Sequence, residues 1–299
     1  MKLKIIVILL ILYGVISQES LFAQNNDRWL PPPFPELSRE LLFLDPLVFY
    51  NNDSNNARID LYIEIPVPAI IFKRNSTMDI FESSLEMSVT IEDSKDLNSF
   101  SKVYNEHTSF TDEEMKSEAK ASLYFLKVFY EKSGNYKLNF KIKDFNSNRE
   151  YIKQDSISIR DKSNIFFSDI MILSDYKIDP EGKKEITPLV NKNVFNLPEF
   201  YIFFEIYSNS DSTISKEYTY RIKDDKDKII SESSFYYNLS ADVNKEFEKI
   251  FFYNSQYGIF KIEIIDKSTQ EIVVTKRFVN FPHILKQGRM PENIHKPRN

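Results

Sequence analysis

Cysteine is absent from this chain of 299 residues, and glycine occurs only five times. Without cysteine there is no disulfide, no thiol nucleophile, no thiolate-bound metal and no lipid attached through a thiol. The glycines also stand far apart, so no glycine-rich loop exists to hold phosphate groups. These absences exclude several classes of enzyme before any motif is considered.

Histidine, the commonest general base at neutral pH, occurs three times. His107 lies in a polar stretch, and His283 and His295 lie at or in the C-terminal tail. No Gly-x-Ser-x-Gly elbow and no zinc-ligand spacing accompany them. A Ser-His-Asp arrangement stays open from sequence alone, but solvated histidines are the simpler interpretation. We therefore expect no catalytic residue and no cofactor.

Calcium is the one metal for which the sequence offers a set of ligands. Asp144, Asn146, Asn148 and Asp155 stand at positions 1, 3, 5 and 12 of an EF-hand-like loop. Arg149, however, stands where that loop needs glycine, so a polar turn between two strands is favoured and we expect no metal site. The run 224–227 has the same ambiguity, and its Lys226 favours a solvated hairpin tip.

The residues that are abundant favour a folded β protein. Hydrophobic residues make up 42% of the chain and aromatic residues 14%, with 25 Phe and 17 Tyr. Aromatic and β-branched side chains favour half-buried pleated surfaces. The 39 basic and 44 acidic residues are interspersed, so the sequence shows no basic footprint for nucleic acid.

The N-terminus has the pattern of a secretory signal peptide. Lys2 and Lys4 precede an apolar stretch at 5–16, and Ala23 offers a small residue for cleavage. The sequence predicts a signal peptide at 1–24, cut after Ala23 or Gln24. An uncleaved anchor is the alternative, but the stretch is shorter than the roughly 20 residues needed to span a bilayer. We expect an extracytoplasmic protein without a further membrane span, in the periplasm, associated with an outer membrane, or secreted.

A repeated hairpin pattern indicates the fold. The runs GNYKL at 134–138 and GIFKI at 258–262 both read Gly-x-aromatic-Lys-aliphatic, and each leads to a turn with an aspartate, Asp144 or Asp266. The two glycines lie 124 residues apart, about one sandwich domain. The sequence predicts an all-β protein of two tandem antiparallel β-sandwich domains of the immunoglobulin-like type. The predicted segments are an extended Pro-rich arm at 25–56, domain 1 at 57–162, domain 2 at 163–282 and a disordered tail at 283–299.

Several shorter stretches have specific predictions. Residues 81–92 alternate as a strand, with the odd-numbered positions facing inward. Thr111 to Glu114 reads as a helix capping box, and 120–130 as a strand. Residues 59–72 also alternate, and Pro66 and Pro68 suggest an edge strand or a kinked one.

The segment 59–72 is also the candidate binding edge, with Tyr62 and Glu64 pointing outward. A free strand edge offers unpaired N–H and C=O groups to a partner strand. The alternative is that its prolines only block unwanted pairing.

Five runs carry a resemblance to a known family: ARIDLYIEIP at 57–66, IF at 71–72, GNY at 134–136, FSDIMIL at 167–173 and FFEIY at 203–207. Over 57–281 the chain resembles the N-terminal β-rich region of GWxTD-domain-containing proteins, which are exported proteins of Bacteroidetes-type bacteria. The Gly-Trp-x-Thr-Asp motif itself is absent, and the one tryptophan is Trp29. The resemblance implies export and a β fold, and it names no catalytic residue.

These observations predict an exported, non-catalytic binding or assembly protein of the cell envelope, with an envelope protein as its partner. The alternative is a carbohydrate-active accessory module or enzyme with a tyrosine-lined site, and an adaptor for a transport or secretion machine is a third possibility. An enzyme calls for a concave site with converging carboxylates and displaced pKa values. A binding protein calls for an exposed strand edge or a flat apolar patch.

Overall fold

The computed structural model describes residues 41–50, 56–95, 99–118, 121–162, 165–178, 180–182, 184–209, 213–240, 242–252 and 257–282. The predicted signal peptide, most of the Pro-rich arm and the predicted tail lie outside the described residues. Among the described residues, no helix is long and apolar enough to cross a membrane.

The first half of the fold consists of two antiparallel sheets. Their elements are β1 (Phe43–Phe49), β2 (Ala57–Pro66), β3 (Lys73–Asn75), β4 (Ile80–Asp93), β5 (Ser99–Thr111), α1 (Asp112–Glu118), β6 (Ser122–Glu131), β7 (Gly134–Asp144) and β8 (Arg149–Ile159). Sheet I has the order β1-β2-β6, and sheet II has the order β3-β4-β7-β8 with β5 also paired to β4. One hydrophobic core is shared by these two sheets.

The second half repeats this plan. Its strands are β9 (Ile165–Phe167), β10 (Met171–Ile178), β11 (Lys184–Pro188), β12 (Glu199–Ser208), β13 (Ile214–Asp224), β14 (Ile229–Leu239), β15 (Asp242–Phe251), β16 (Gly258–Asp266) and β17 (Ile272–Asn280). Sheet III has the order β11-β10-β12-β15, with β9 also paired to β12, and sheet IV has the order β14-β13-β16-β17. A second, strongly aromatic core lies between them. The prediction of an all-β protein built of antiparallel sandwiches is confirmed.

The local predictions follow from ordinary strand and cap chemistry. On β4, Ser83, Leu85, Met87, Val89 and Ile91 are buried as expected, and Phe81 is half-buried. The capping box forms at α1, where the Thr111 amide donates to Glu114 Oε2 at 2.8 Å and the Glu114 amide donates to Thr111 Oγ1 at 3.3 Å.

Both repeated hairpins form as predicted. In the turns of β7–β8 and β16–β17, Asp144 Oδ1 accepts the Asn146 N–H and Asp266 Oδ1 accepts the Ser268 N–H, each at 2.8 Å. The same aspartate chemistry therefore closes both turns.

The prediction that 59–72 forms an edge strand is wrong. β2 is the central strand of sheet I and pairs with β1 on one side and β6 on the other. Pro66 is its last residue and Pro68 lies in a 3-10 turn, so the prolines end the strand instead of marking an edge. Tyr62 is half-buried against the second sandwich and Glu64 is 4% exposed, so the two positions do not form a free outer surface.

A third apolar cluster joins the two sandwiches. It contains Leu47 and Phe49 of β1 with Met171, Leu173 and Phe203 of sheet III. We call it the junction cluster. β1 belongs to sheet I although the sequence assigns its residues to the extended arm. By contacts the residues from 41 onward form one unit, so the division into domains at 57–162 and 163–282 stays a prediction.

One buried hydroxyl in the second core is expected to cost stability. Tyr218 is fully buried and its hydroxyl has no hydrogen-bond partner among the described residues, while its ring lies 5.1 Å from that of Phe167. Tyr218→Phe should therefore raise the free energy of unfolding by about 1 kcal/mol in urea titrations, because a desolvated, unpaired hydroxyl is removed. Tyr237→Phe is the matched control. That hydroxyl donates to Glu248 Oε1 at 2.5 Å, so the control should lose stability. A loss of stability in Tyr218→Phe as large as in the control would contradict this account.

Candidate interaction surface

The backbone groups at the outer edge of β6 follow from its pairing with β2. The Val67 N–H donates to the Ala121 carbonyl at 2.9 Å, at the start of a ladder that continues with Pro66 opposite Ser122. Residue pairs that exchange hydrogen bonds alternate with pairs that do not along an antiparallel ladder. The odd-numbered residues of β6 therefore bond to β2, and the even-numbered residues turn their N–H and C=O groups to the opposite edge.

The same even-numbered residues carry exposed apolar side chains on the outer face of sheet I. Their exposed fractions are 61% for Tyr124, 47% for Leu126, 39% for Val128 and 61% for Tyr130. We call these four residues the β6 row, and at strand spacing it extends about 20 Å. Among the described residues β6 pairs with β2 alone, so the row coincides with a free strand edge.

The opposite edge of sheet I is closed by specific contacts. Pro46 of β1 has no N–H to offer. The Val48 N–H donates to Asp169 Oδ2 at 2.9 Å, and the Val48 carbonyl accepts the Asp169 N–H at 3.0 Å. The Tyr50 N–H donates to the Tyr207 hydroxyl at 2.8 Å. One edge of the sheet is thus satisfied by the second sandwich, and the other carries the β6 row.

Other edge strands present polar outer rows. On β5 the exposed positions facing outward are Ser101, Val103, Asn105, His107 and Ser109. On β14 they are Glu232, Ser234, Tyr236 and Asn238. An apolar row is therefore a property of β6 that these two edge strands do not share.

The inner face of β6 carries a lysine at its centre. Lys127 forms an ion pair with Glu106 and lies over the ring of Tyr104 at 4.4 Å. Lys102 lies 5.1 Å from the same ring. Two ammonium groups thus lie near one tyrosine ring at this flank of the sandwich, where Glu106 pairs with Lys127. Of the Lys127 side chain, 13% is exposed.

One end of the β6 row contacts a buried carboxylate. Burial raises the pKa of Tyr124, and the nearby Glu64 carboxylate raises it further. Glu64 Oε1 accepts the Ser122 hydroxyl at 2.9 Å, and Oε2 accepts the Asn191 N–H at 3.2 Å. Glu64 therefore fixes the start of β6 against the second sandwich.

A cleft at the junction of the sandwiches is the concave alternative. It has two adjoining parts of about 640 and 440 Å³, which share Tyr50, Arg160 and Asp161. The Arg160 guanidinium donates to the carbonyls of Val273 at 2.6 Å and Phe167 at 2.9 Å. These hydrogen bonds engage the Arg160 side chain in the contact between the two sandwiches.

Two titratable groups with displaced pKa values, Lys276 and Asp169, lie in the junction. Asp45 is 3% exposed and accepts Lys276 at 2.6 Å and Lys192 at 2.9 Å. Burial lowers the pKa of Lys276, and Asp45 opposes that shift. Burial raises the pKa of Asp169, and Lys276 opposes it. These charges face one another across the two sandwiches, so they hold the first sandwich to the second.

The structure brings a serine and an acid to His107. Its Nδ1 lies 3.1 Å from Ser84 Oγ, and its Nε2 lies 4.0 Å from Glu82 Oε1. The histidine side chain is 58% exposed on the open face of the β4–β5 pair. These polar side chains contact one another across two neighbouring strands on an exposed face of the sheet. His283 and His295 lie outside the described residues.

The candidate calcium ligands build a turn. The Asp144 carboxylate accepts the N–H groups of Ile71 and Asn146 and the hydroxyl of Ser147. Asn148 adopts a φ of 56°, the left-handed conformation for which glycine is usually chosen. No group of three or more His, Asp or Glu side chains placed to hold a metal ion occurs among the described residues. At the predicted tip of β13–β14, Asp224 Oδ1 accepts the N–H groups of Lys226 and Lys228, both at 2.9 Å.

The aromatic side chains Tyr176, Tyr201 and Phe247 of sheet III cover one another's ring faces. Tyr176 stacks on Phe247 with ring centroids 4.1 Å apart, and Tyr201 meets Tyr176 edge-on at 5.9 Å. Lys184 and Lys249 lie over Phe247 and Tyr201 at 4.6 and 5.3 Å. Ring faces covered in this way are not open platforms for a sugar.

Comparison with known proteins adds little to this geometry. No family model matches the chain, and no curated protein matches it. Red sea bream transglutaminase is similar over 81% of this chain and 32% of its own, at 5% identity and a TM-score of 0.24. Trypsin-activated alpha-2-macroglobulin from Escherichia coli is similar over 81% and 16%, at 12% identity and a TM-score of 0.25. A calcium-binding mutant of Bacteroides uniformis beta-glucuronidase 2 is similar over 84% and 29%, at 8% identity and a TM-score of 0.27.

The chain spans less than a third of the length of each of these three structures. Likenesses at such TM-scores carry no argument about function. The resemblance to GWxTD-domain-containing proteins stays a prediction.

Proposed function

We propose that this chain is an exported, non-catalytic binding protein of the bacterial cell envelope that holds a protein partner on the β6 row. The observation that carries the proposal is the coincidence of four exposed apolar side chains with a free strand edge. Contiguous exposed apolar surface on a soluble protein marks a site of interaction.

The surroundings of the row support this proposal. The junction cluster covers the neighbouring outer face of β1, and Tyr62 of β2 packs against the same cluster. The second sandwich therefore covers this face up to β6 and leaves the row open. The exposed side chains of the β6 row add nothing to the hydrophobic core. In this proposal they become buried when the partner binds.

Export and the absence of catalysis are parts of the same proposal. The charged start, short apolar stretch and Ala23 support export, as does the resemblance to exported GWxTD-domain-containing proteins. The commitment of Arg160 and of the junction charges to interdomain contacts supports a binding protein over an enzyme.

Photocrosslinking in the native cell tests the proposal. A photoreactive phenylalanine analogue at Tyr130, which is 61% exposed, should form an adduct with one envelope protein. The same analogue at Tyr236 on β14, which is 73% exposed, is the matched control and should form none. Adding Leu126→Lys to the Tyr130 probe should abolish the adduct, because a charge enters the apolar row, while adding Val103→Lys on β5 should leave it.

Three outcomes would contradict the proposal. The Tyr130 and Tyr236 probes could give the same adducts, or Leu126→Lys could leave the Tyr130 adduct unchanged. Hydrolysis of a polysaccharide by the purified protein, with no adduct at Tyr130, would favour the carbohydrate alternative instead.

A further inference from the structure

We infer that the partner adds an antiparallel strand to sheet I along the free edge of β6 and places a carboxylate against Lys127. This inference rests on the proposed function and names the chemistry of its partner. It follows from the direction of the backbone groups, the two faces of β6 and the charges beside Lys127.

The backbone of the β6 row is arranged as a template for a strand. Four alternate residues, Tyr124, Leu126, Val128 and Tyr130, turn both N–H and C=O to the free edge. An extended segment bonds such groups in register, and main-chain hydrogen bonds then give affinity while alternate side chains give specificity. The ladders between the described strands are all antiparallel, and antiparallel pairing is the more stable arrangement.

The two faces of β6 specify the partner's side chains. On the outer face, partner residues lie beside the β6 row, so apolar side chains are favoured there. On the inner face, partner residues lie beside Phe125, Lys127 and Phe129. Side chains in non-hydrogen-bonded pairs are the closer ones, so the residue opposite Lys127 meets it directly.

The charges near Lys127 favour an acidic partner residue. Lys127 and Lys102 share the ring of Tyr104, and Glu106 is the carboxylate that pairs with Lys127. An added carboxylate would balance the second ammonium, whereas an added ammonium would meet two like charges. Lys127 itself is an inward-pointing charge on an edge strand, a feature that discourages pairing with unsuitable strands.

A second copy of this chain fits the edge poorly. The symmetric register that matches Tyr124 with Tyr130 and Leu126 with Val128 places Lys127 opposite Lys127. Shifting the register by two residues removes the contact between the two copies of Lys127. One tyrosine of the β6 row then has no residue of the other copy's row opposite it. The edge therefore favours a different strand with an acid at its centre.

Peptide binding to the full-length secreted protein tests this chemistry. The probes are nine-residue peptides with Val and Tyr in one alternating row and Thr in the other, with Glu, Gln or Lys at the central Thr-row position. Fluorescence anisotropy should show the Glu peptide binding about tenfold more tightly than the Lys peptide, with Gln between, because the central cross-strand pair changes from attractive to repulsive. The double exchange Lys127→Glu with Glu106→Lys retains the ion pair on this flank and should invert the preference.

N-methylation distinguishes strand addition from simple apolar adhesion. Methylating the amides of the Val/Tyr row, which face β6, should abolish binding of the Glu peptide. Methylating the amides of the other row, which face away, should leave it. Equal effects of both sets, or equal affinity for the Glu and Lys peptides, would overturn the inference.

The outcomes separate this inference from the proposed function. In one case the Tyr130 probe forms an adduct that Leu126→Lys abolishes, but methylating either row of peptide amides has the same effect. This result supports a partner on the β6 row and rejects strand addition. Peptide binding with the expected alternation but no adduct in the cell rejects the proposed function. A dimer in light scattering that Leu126→Lys dissociates identifies the occupant as a second copy, and a crosslink from Tyr130 back to its own chain shows that the edge is already covered. Either result overturns the inference.

Discussion

Asp45→Asn is expected to lower the free energy of unfolding by about 3 kcal/mol, because it leaves the Lys276 ammonium in the junction without its ionised partner. Only 5% of the Asp45 side chain and 12% of the Lys276 side chain are exposed, and their atoms lie 2.6 Å apart. Burial already lowers the pKa of Lys276, so water does not solvate it well. Denaturation in urea, followed by far-ultraviolet circular dichroism, measures the loss.

Two variants control this measurement. Asp175→Asn breaks an ion pair with Lys177 of similar length, 2.7 Å, in which the Asp175 side chain is 43% exposed and the Lys177 side chain 71%. This substitution should leave the free energy of unfolding without a measurable change. The double variant Asp45→Leu with Lys276→Met removes both buried charges and should regain most of the loss. A loss in Asp45→Asn no larger than in Asp175→Asn would show that the junction charges are solvated.

Leu47→Ala is expected to cost about 2–5 kcal/mol, since it opens a cavity in the junction cluster. Leu47 is fully buried between Phe49 and the sheet III residues Met171, Leu173 and Phe203. Because this residue belongs to the first sandwich and packs against the second, its loss should also separate one thermal transition into two. Differential scanning calorimetry detects both effects.

Leu126→Ala is the matched control for Leu47→Ala. Leu126 is 47% exposed on the β6 row, so its truncation should change stability little while weakening capture of the partner. If Leu126→Ala destabilised the protein as much as Leu47→Ala, the row would be part of the core and the proposed function would lose its basis.

Much of the fold could be predicted because it depends on patterns of residues that are close together in the sequence. The alternation on β4, the capping box at α1 and the repeated Gly-x-aromatic hairpins each depend on neighbours in sequence. These patterns act over a few residues, so the sequence alone reveals them.

The position of each strand within its sheet could not be predicted in this way. Pro66 reads as a sign of an edge, yet β2 is central because β1, from a segment assigned to the arm, pairs along it. Likewise, the junction charges meet only when Asp45 and Lys276, 231 residues apart, come together. Alternation gives the faces of a strand, but its neighbours depend on contacts distant in sequence.

The β6 row did leave a signal in the sequence. Leu123, Phe125 and Phe129 form one alternating row of β6, and the β6 row forms the other, so both faces are largely apolar. Strands apolar on both faces are typical of sheets covered on both sides. In this fold the second sandwich covers β1 and β2 only, so the surplus apolar face of β6 was a clue to the candidate site.

The contact between the first and last strands also bears on when the protein can mature. β1 is the first of the described strands, and Asp45 gains Lys276 only once β17 has been synthesised. Until then Asp45 has only the partly exposed Lys192 as a partner, so the nascent chain cannot complete the charged contacts of the junction early. If the chain is exported as proposed, this delay keeps the junction incomplete while the chain is threaded, and assembly should finish after the last hairpin arrives.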